Sequence, residues 1–150
     1  MTTIVALGCG LVGEFVVQRL VDDGHSVVAV DLHLPDSIKK NTQIESIEGD
    51  AKGYISTLKG DEIIINMLPG RIGHGIRKDL VIGGHNIVDL AFTAEDPQQL
   101  DELAKEHEST MIWDIGIAPG LSNMLLAPVS YTHLTLPTKR KCRSRWSPYH

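Results

Sequence analysis

Cysteine is nearly missing from this chain of 150 residues: there are two, Cys9 and Cys142, far apart and without metal-ligand spacing. Isolated cysteines with no secretion signal point to a reducing, cytoplasmic setting. The opening MTTIVALGCG lacks the basic segment and small-residue cleavage site of a signal peptide and reads as a strand. Long apolar runs are missing too. EIIINML is among the longest and is far too short to span a bilayer, so no membrane partner is expected. Acidic residues are missing from Val129 to His150 as well, where Lys139, Arg140, Lys141, Arg143 and Arg145 stand unopposed. Setting those five aside leaves nine basic residues against nineteen acidic ones from Met1 to Pro128, a net charge of −10. A body that acidic has no basic face for a phosphate backbone, which excludes a nucleic-acid partner.

What is present is an alternation. Thr3 to Leu7 (TIVAL) is a β-branched apolar run stopped by glycine, as a buried parallel strand requires. Leu11 to Asp23 then places Leu11, Val12, Phe15, Val16, Leu20 and Val21 near the helical period, and Gly24 supplies a left-handed helix stop. Ser26 to Val30 is a second strand ending at Asp31. Pro35 to Lys40 reads as a short helix, Gln43 to Ile47 as a third strand, Ala51 to Leu58 as a helix and Glu62 to Leu68 as the clearest buried strand. Gly73 to Ile82 is expected to be helical with Gly83-Gly84 as its stop. Asn86 to Leu90 is a strand, Asp96-Pro97 a helix start running to about His107, and Met111 to Asp114 a sixth strand. Strand and helix alternate about six times with no hairpin dipeptide between strands. The expected fold is therefore α/β, a doubly wound parallel sheet, in one domain from residue 1 to 128.

Gly8-Cys9-Gly10-Leu11-Val12-Gly13 matches G-x-G-x-x-G. Alone the pattern is weak. Here it follows a strand, opens a helix and precedes a second strand ending in an acid, the context that makes it a dinucleotide-binding hypothesis. Gly8 permits the tight turn, Gly10 lets backbone approach a pyrophosphate, and Gly13 allows close helix packing, while the helix N-terminus offers free N–H groups. Asp31 lies at the end of the second strand, where a carboxylate takes the adenosine ribose hydroxyls. The Leu32-His33-Leu34 that follows has no cation for a 2′-phosphate, so NAD is favoured over NADP unless Lys39 and Lys40 fold back. Cys9 faces a helix N-terminus that lowers thiol pKa values, which permits a redox role. The plainer reading, a small residue tolerated in the loop, is the one adopted.

Open α/β sheets bind ligands at the carboxyl ends of their strands. Asp50, after the third strand, is placed near adenine or as a helix cap. Asn66, Leu68 and Pro69 end the fourth strand, with Asn66 bonding either to its loop or to the nicotinamide ribose. Asp89 ends the fifth, as a site residue or as a cap for Thr93. His74 and His85 are read as ordinary loop residues.

The sixth strand ends in DIGIAPGLSN. That run, preceded by VDLAF and by GCGLVG at the start, resembles the cofactor domain of the saccharopine dehydrogenase and lysine dehydrogenase family over Met1 to Pro128. The resemblance implies hydride transfer between a nicotinamide cofactor and an amino-acid C–N bond, with lysine-type or saccharopine-type substrates. It implies that Asp89 and the loop holding Ala118, Pro119 and Gly120 lie near nicotinamide and substrate. It implies further that the substrate-holding groups belong to a following domain, and it leaves a homodimer of the full-length parent open. A different class also fits the first thirty residues, which resemble the NAD-sensing domains attached to potassium transport systems. VDLAF and DIGIAPGLSN speak against that alternative.

The basic tail fits neither. VSYTHLTLPT back-translates, codon for codon, into the transposon-end adapter of fragmentation-based sequencing libraries, and CRSRWSPYH into the outer adapter that follows the index. Residues 129–150 are therefore read as translated adapter, expected to be disordered or loosely packed. On that reading the substrate domain is missing, and the fragment is expected to bind dinucleotide without turning over.

Overall fold

The structure, a computed structural model, describes residues 2–116, 120–122 and 124–125. Residues 129–150, with the tail assigned to them, and Ala118 and Pro119 lie outside the described residues.

Six strands form one parallel sheet: β1 (Thr3–Leu7), β2 (Ser26–Asp31), β3 (Ile44–Glu48), β4 (Ile63–Asn66), β5 (Asn86–Asp89) and β6 (Thr110–Ile112), in the order β3-β2-β1-β4-β5-β6. Between them run α1 (Leu11–Asp22), α2 (Asp36–Lys39), α3 (Ala51–Ile55), α4 (Gly70–Ile82), then a 3₁₀ turn (Pro97–Leu100) and α5 (Asp101–Glu106). The register is continuous, with Leu7 beside Val30 on one side and Asn66 on the other, so the carboxyl ends of β1, β2 and β4 are level.

Strand alternation sorts the core onto two faces. Val28 and Val30 join Leu7, Ile64, Leu80 and Ile87 on the face covered by α3, α4 and α5. Val27 and Ala29 join Ala6, Val17 and Ile38 under α1 and α2. A sheet buried on both faces needs such continuous apolar strands, and a doubly wound sheet reverses direction at β1 and β4, leaving a crevice there.

Among the differences from the periodicity are two helix bounds and one helix face. α4 starts at Gly70, not Gly73, because Pro69 precedes it as the cap and the fixed proline φ leads directly into helix. α3 stops at Ile55, short of Leu58. Along α1 only Gly13, Val17 and Val21 are buried, whereas Leu11 is 94%, Phe15 72% and Val12 61% exposed. The first turn of α1 thus presents an apolar surface to whatever lies over the carboxyl edge. Among the described residues no helix is long and apolar enough to cross a membrane.

Candidate functional site

The turn from β1 into α1 is shaped by two glycines. Gly8 stands at φ +92°, and a Cβ there would lie 3.0 Å from the Met67 carbonyl. A Cβ on Gly13 would collide with the Gly8 carbonyl oxygen, so α1 can approach the strand end only with glycine at that place. Gly10 is different: nothing lies within 4 Å of its would-be Cβ, and the residue is exposed. Its backbone therefore faces open space beside the first N–H groups of a helix of 12 residues, which lack acceptors within the helix. A helix end of this kind favours an anion.

Asp31 closes the other side of this turn. Its Oδ2 accepts the Cys9 N–H at 2.6 Å and its Oδ1 the His33 N–H at 3.0 Å. The carboxylate is thus held at the carboxyl edge by backbone donors while remaining half-buried. Cys9 itself is buried, and burial, followed by the neighbouring Asp31 charge, pushes its thiol up to about 12. The helix N-terminus does not prevail: the thiol stays protonated at neutral pH and is no nucleophile.

A cleft of about 440 Å³ opens from Asp31 and Leu32 across Gly49, Asp50 and Ala51 to Leu68, Pro69, Ile72 and Ile76. Asp50 precedes α3 without a side-chain cap bond, so its carboxylate stays at the cleft. Asp31, Asp50, Leu68 and Pro69 thus meet around one space, next to the Gly8–Gly13 turn. Two cations that the order of residues does not reveal, Lys52 and Arg71, also line it. Lys52 pairs with Asp79 at 3.6 Å. Lys39 and Lys40 are committed elsewhere, to Glu48 at 2.6 Å and Asp36 at 2.8 Å. The bond from Lys39, joined by the Leu34 N–H, holds the Glu48 carboxyl below its usual range.

The ends of β4 and β5 are built otherwise. Asn66 and Asp89 are fully buried and bond to each other, Nδ2 to Oδ2, at 3.1 Å. Arg77, buried in the middle of α4, donates from Nε to the same Oδ2 at 2.7 Å. The guanidinium also reaches the Thr93 hydroxyl and the Ala91 carbonyl, both at 3.0 Å. Asp89 Oδ1 accepts the Ala91 N–H at 2.7 Å. Asn66 thus bonds to its own loop, through the Leu68 N–H at 3.4 Å, and not outward. Asp89 holds Arg77, and its link to Thr93 runs through that guanidinium. Nothing in the order of residues marks Arg77, because a lone arginine in an amphipathic helix has the pattern of a solvent-facing one. The only available hint was that both β4 and β5 end in a polar residue after an apolar run.

Gly120 lies at φ +128° and bridges back to Gly116, and neither is among the residues that line the cleft. A larger cavity, about 720 Å³, is elsewhere again, along the β6 edge between Pro97, Leu100, Ala104, Met111 and Trp113. It holds none of the residues singled out for chemistry. Among the described residues no group of three or more His, Cys, Asp or Glu side chains is placed to hold a metal.

No family model matches the chain. Among solved structures, apo saccharopine dehydrogenase (L-Glu forming) from Saccharomyces cerevisiae superposes with a TM-score of 0.70 at 18% identity, over 84% of this chain and 30% of that one. The WlbA dehydrogenase from Chromobacterium violaceum, solved with NADH and UDP-GlcNAcA, gives 0.62 at 13% identity over 87% and 39%. The NAD(P)-binding domain of an exopolyphosphatase-related protein from Archaeoglobus fulgidus gives 0.54 at 11% identity over 87% and 99%. At these identities the likeness is one of fold: the chain has the Rossmann fold found in NAD(P)-binding dehydrogenases, saccharopine dehydrogenase among them. The chain spans well under half the length of those two dehydrogenases.

Proposed function

We propose that this chain is the nicotinamide-dinucleotide-binding domain of an oxidoreductase, with NAD the preferred cofactor. The observation that carries the proposal is the turn at Gly8–Gly13. Its open backbone at Gly10 and the α1 N-terminus face the space in front of a positioned Asp31 carboxylate. In that arrangement the helix N-terminus takes the pyrophosphate, Asp31 the adenosine ribose hydroxyls, and the cleft bounded by Asp50, Leu68 and Pro69 the adenine. Asp31 also repels a 2′-phosphate, and the engagement of Lys39 and Lys40 with Glu48 and Asp36 supports NAD over NADP. Lys52 and Arg71 are the counterweight, since both lie within the cleft.

Within this reading the parent enzyme moves hydride between nicotinamide and the C–N bond of an amino acid of the lysine or saccharopine type. GCGLVG, VDLAF and DIGIAPGLSN support that choice, as does the fold shared with the yeast saccharopine dehydrogenase. Asp89, Ala118, Pro119 and Gly120 belong to the nicotinamide side. By the same resemblance the substrate-holding groups of the parent enzyme belong to a separate substrate domain. A sensing module is the second reading, carried by the resemblance of the first thirty residues to the NAD-sensing domains of potassium transport systems.

Fluorescence titration of the whole chain with NADH and NADPH tests the proposal. The expected result is saturable binding, with NADH tighter by roughly tenfold, the scale of one charge-assisted hydrogen bond. No binding of either cofactor, or NADPH the tighter, contradicts it.

A further inference from the structure

Arg77 belongs to no motif, yet it is the largest fully buried side chain in the described residues. A guanidinium taken out of water is retained only where its donors are met, and here they are met by three different acceptors on one segment. Nε bonds to Asp89, Nη1 to the Thr93 hydroxyl and Nη2 to the Ala91 carbonyl. The Thr93 hydroxyl passes the connection on, donating to the Glu95 carbonyl at 3.1 Å. The whole loop after β5 is therefore strung on one side chain of α4.

The same network reaches the other way. Asp89 Oδ2 is shared with Asn66, whose amide also donates to the Gly73 carbonyl at 3.3 Å and whose Oδ1 accepts the Leu68 N–H. Leu68 is a wall of the cleft assigned to adenine. The two turns also touch directly. A Cβ on Gly70 would collide with the Phe92 carbonyl oxygen, and one on Gly73 would stand 2.6 Å from the Ala91 Cβ. Close packing of this kind transmits displacement because neither side has room to yield.

We infer that Arg77 is a positioning residue that ties the turn after β4 to the loop after β5, so that filling the adenosine end of the cleft orders the loop across which a substrate must approach. The inference rests on the dinucleotide reading for its second half only. The bonds that hold the loop exist without ligand. Ordering the loop in advance lowers the entropy cost of a second binding event, which gives positive coupling without a large structural change. A ligand that touches only the β4 turn is enough to reveal it.

The test is hydrogen exchange of the whole chain, alone and with saturating adenosine 5′-monophosphate, which fills the adenosine end and cannot reach the β5 loop. In the unliganded protein, Thr93→Val is expected to speed exchange at residues 91–95 by roughly threefold to tenfold, the scale of one lost hydrogen bond. Thr93→Ser, which keeps the hydroxyl, is expected to restore the slow rate. With the nucleotide bound, exchange should slow at residues 68–72 in every variant, but at 91–95 only in wild type and Thr93→Ser. Arg77→Lys, with one point donor in place of a fork, should lose the second effect as Thr93→Val does. If it does not fold, the Thr93 pair decides alone. Protection at 68–72 with none at 91–95 in wild type overturns the coupling. Equal exchange at 91–95 in unliganded wild type and Thr93→Val overturns the positioning role. Failure of the nucleotide to bind overturns the dinucleotide reading and the coupling with it, while the unliganded comparison still judges Arg77 separately.

Discussion

The carboxyl edge of this sheet has two halves made in opposite ways. On the β1–β2–β3 side the functional groups stand at the surface: an open Gly10 backbone, a half-buried Asp31 and an exposed Asp50 around a cleft. On the β4–β5 side the polar groups are sealed, with Asn66, Asp89 and Arg77 all at 1% exposure or less. The first half offers bonds to a ligand, and the second spends its bonds on its own loops. A cofactor domain needs both, since a dinucleotide must be held at one end while a reacting group is presented at the other.

Substitutions should separate the halves. The largest effect is expected from Arg77→Met, which leaves the Asp89 carboxylate buried and uncompensated and should destabilise by about 3–5 kcal/mol. Chemical denaturation measures this, and a loss below about 1 kcal/mol would mean the pair is not sealed from water. Gly13→Ala comes next. Its methyl must push α1 off the Gly8 carbonyl, at a cost of roughly 1–3 kcal/mol and most of the dinucleotide affinity. Binding as tight as wild type would show that the turn is not the pyrophosphate seat. Asp31→Ala should leave stability within about 1 kcal/mol of wild type yet weaken NADH by roughly tenfold or more, while NADPH loses less. An equal loss for both cofactors would remove Asp31 from the choice between them.

Smaller effects come from Cys9, buried inside the glycine turn, and from the exposed surface. Cys9 should resist alkylation at pH 8 when the labelling site is mapped by peptide mass, since its thiol titrates only near 12. Its raised value means that its contribution to stability is intact at neutral pH and is lost as the pH climbs past the ordinary thiol range toward 12. Rapid labelling in the folded protein would contradict the burial. Smallest of all is Lys40→Ala. Its partner Asp36 is exposed like itself, so the change should stay within about 0.5 kcal/mol in a thermal melt.

The same division explains what could be read from the order of residues. Buried parallel strands are continuous apolar runs, so all six strands were legible from TIVAL onward. The glycine turn and Asp31 follow from residues adjacent along the chain or one strand apart. The sealed network draws on α4, β4, β5 and the loop beyond, and periodicity carries nothing about which lone arginine folds inward. Leu11, Val12 and Phe15 mislead for a related reason: they keep the helical period, but the sheet ends before it can cover them. Lys52 and Arg71 come to the cleft from different helices, which a scan of the residues after Asp31 does not find.

The central claim is that the cleft beside the Gly8–Gly13 turn, and not the larger cavity at the β6 edge, receives a dinucleotide. Two-dimensional amide NMR of the whole chain titrated with NAD tests it most directly, because glycine amides resolve well. Progressive shifts are expected at Gly8, Gly10, Gly13 and Gly49, with the Trp113 indole unmoved. Shifts confined to Trp113, Met111 and Ala104, with the glycine turn silent, would contradict it.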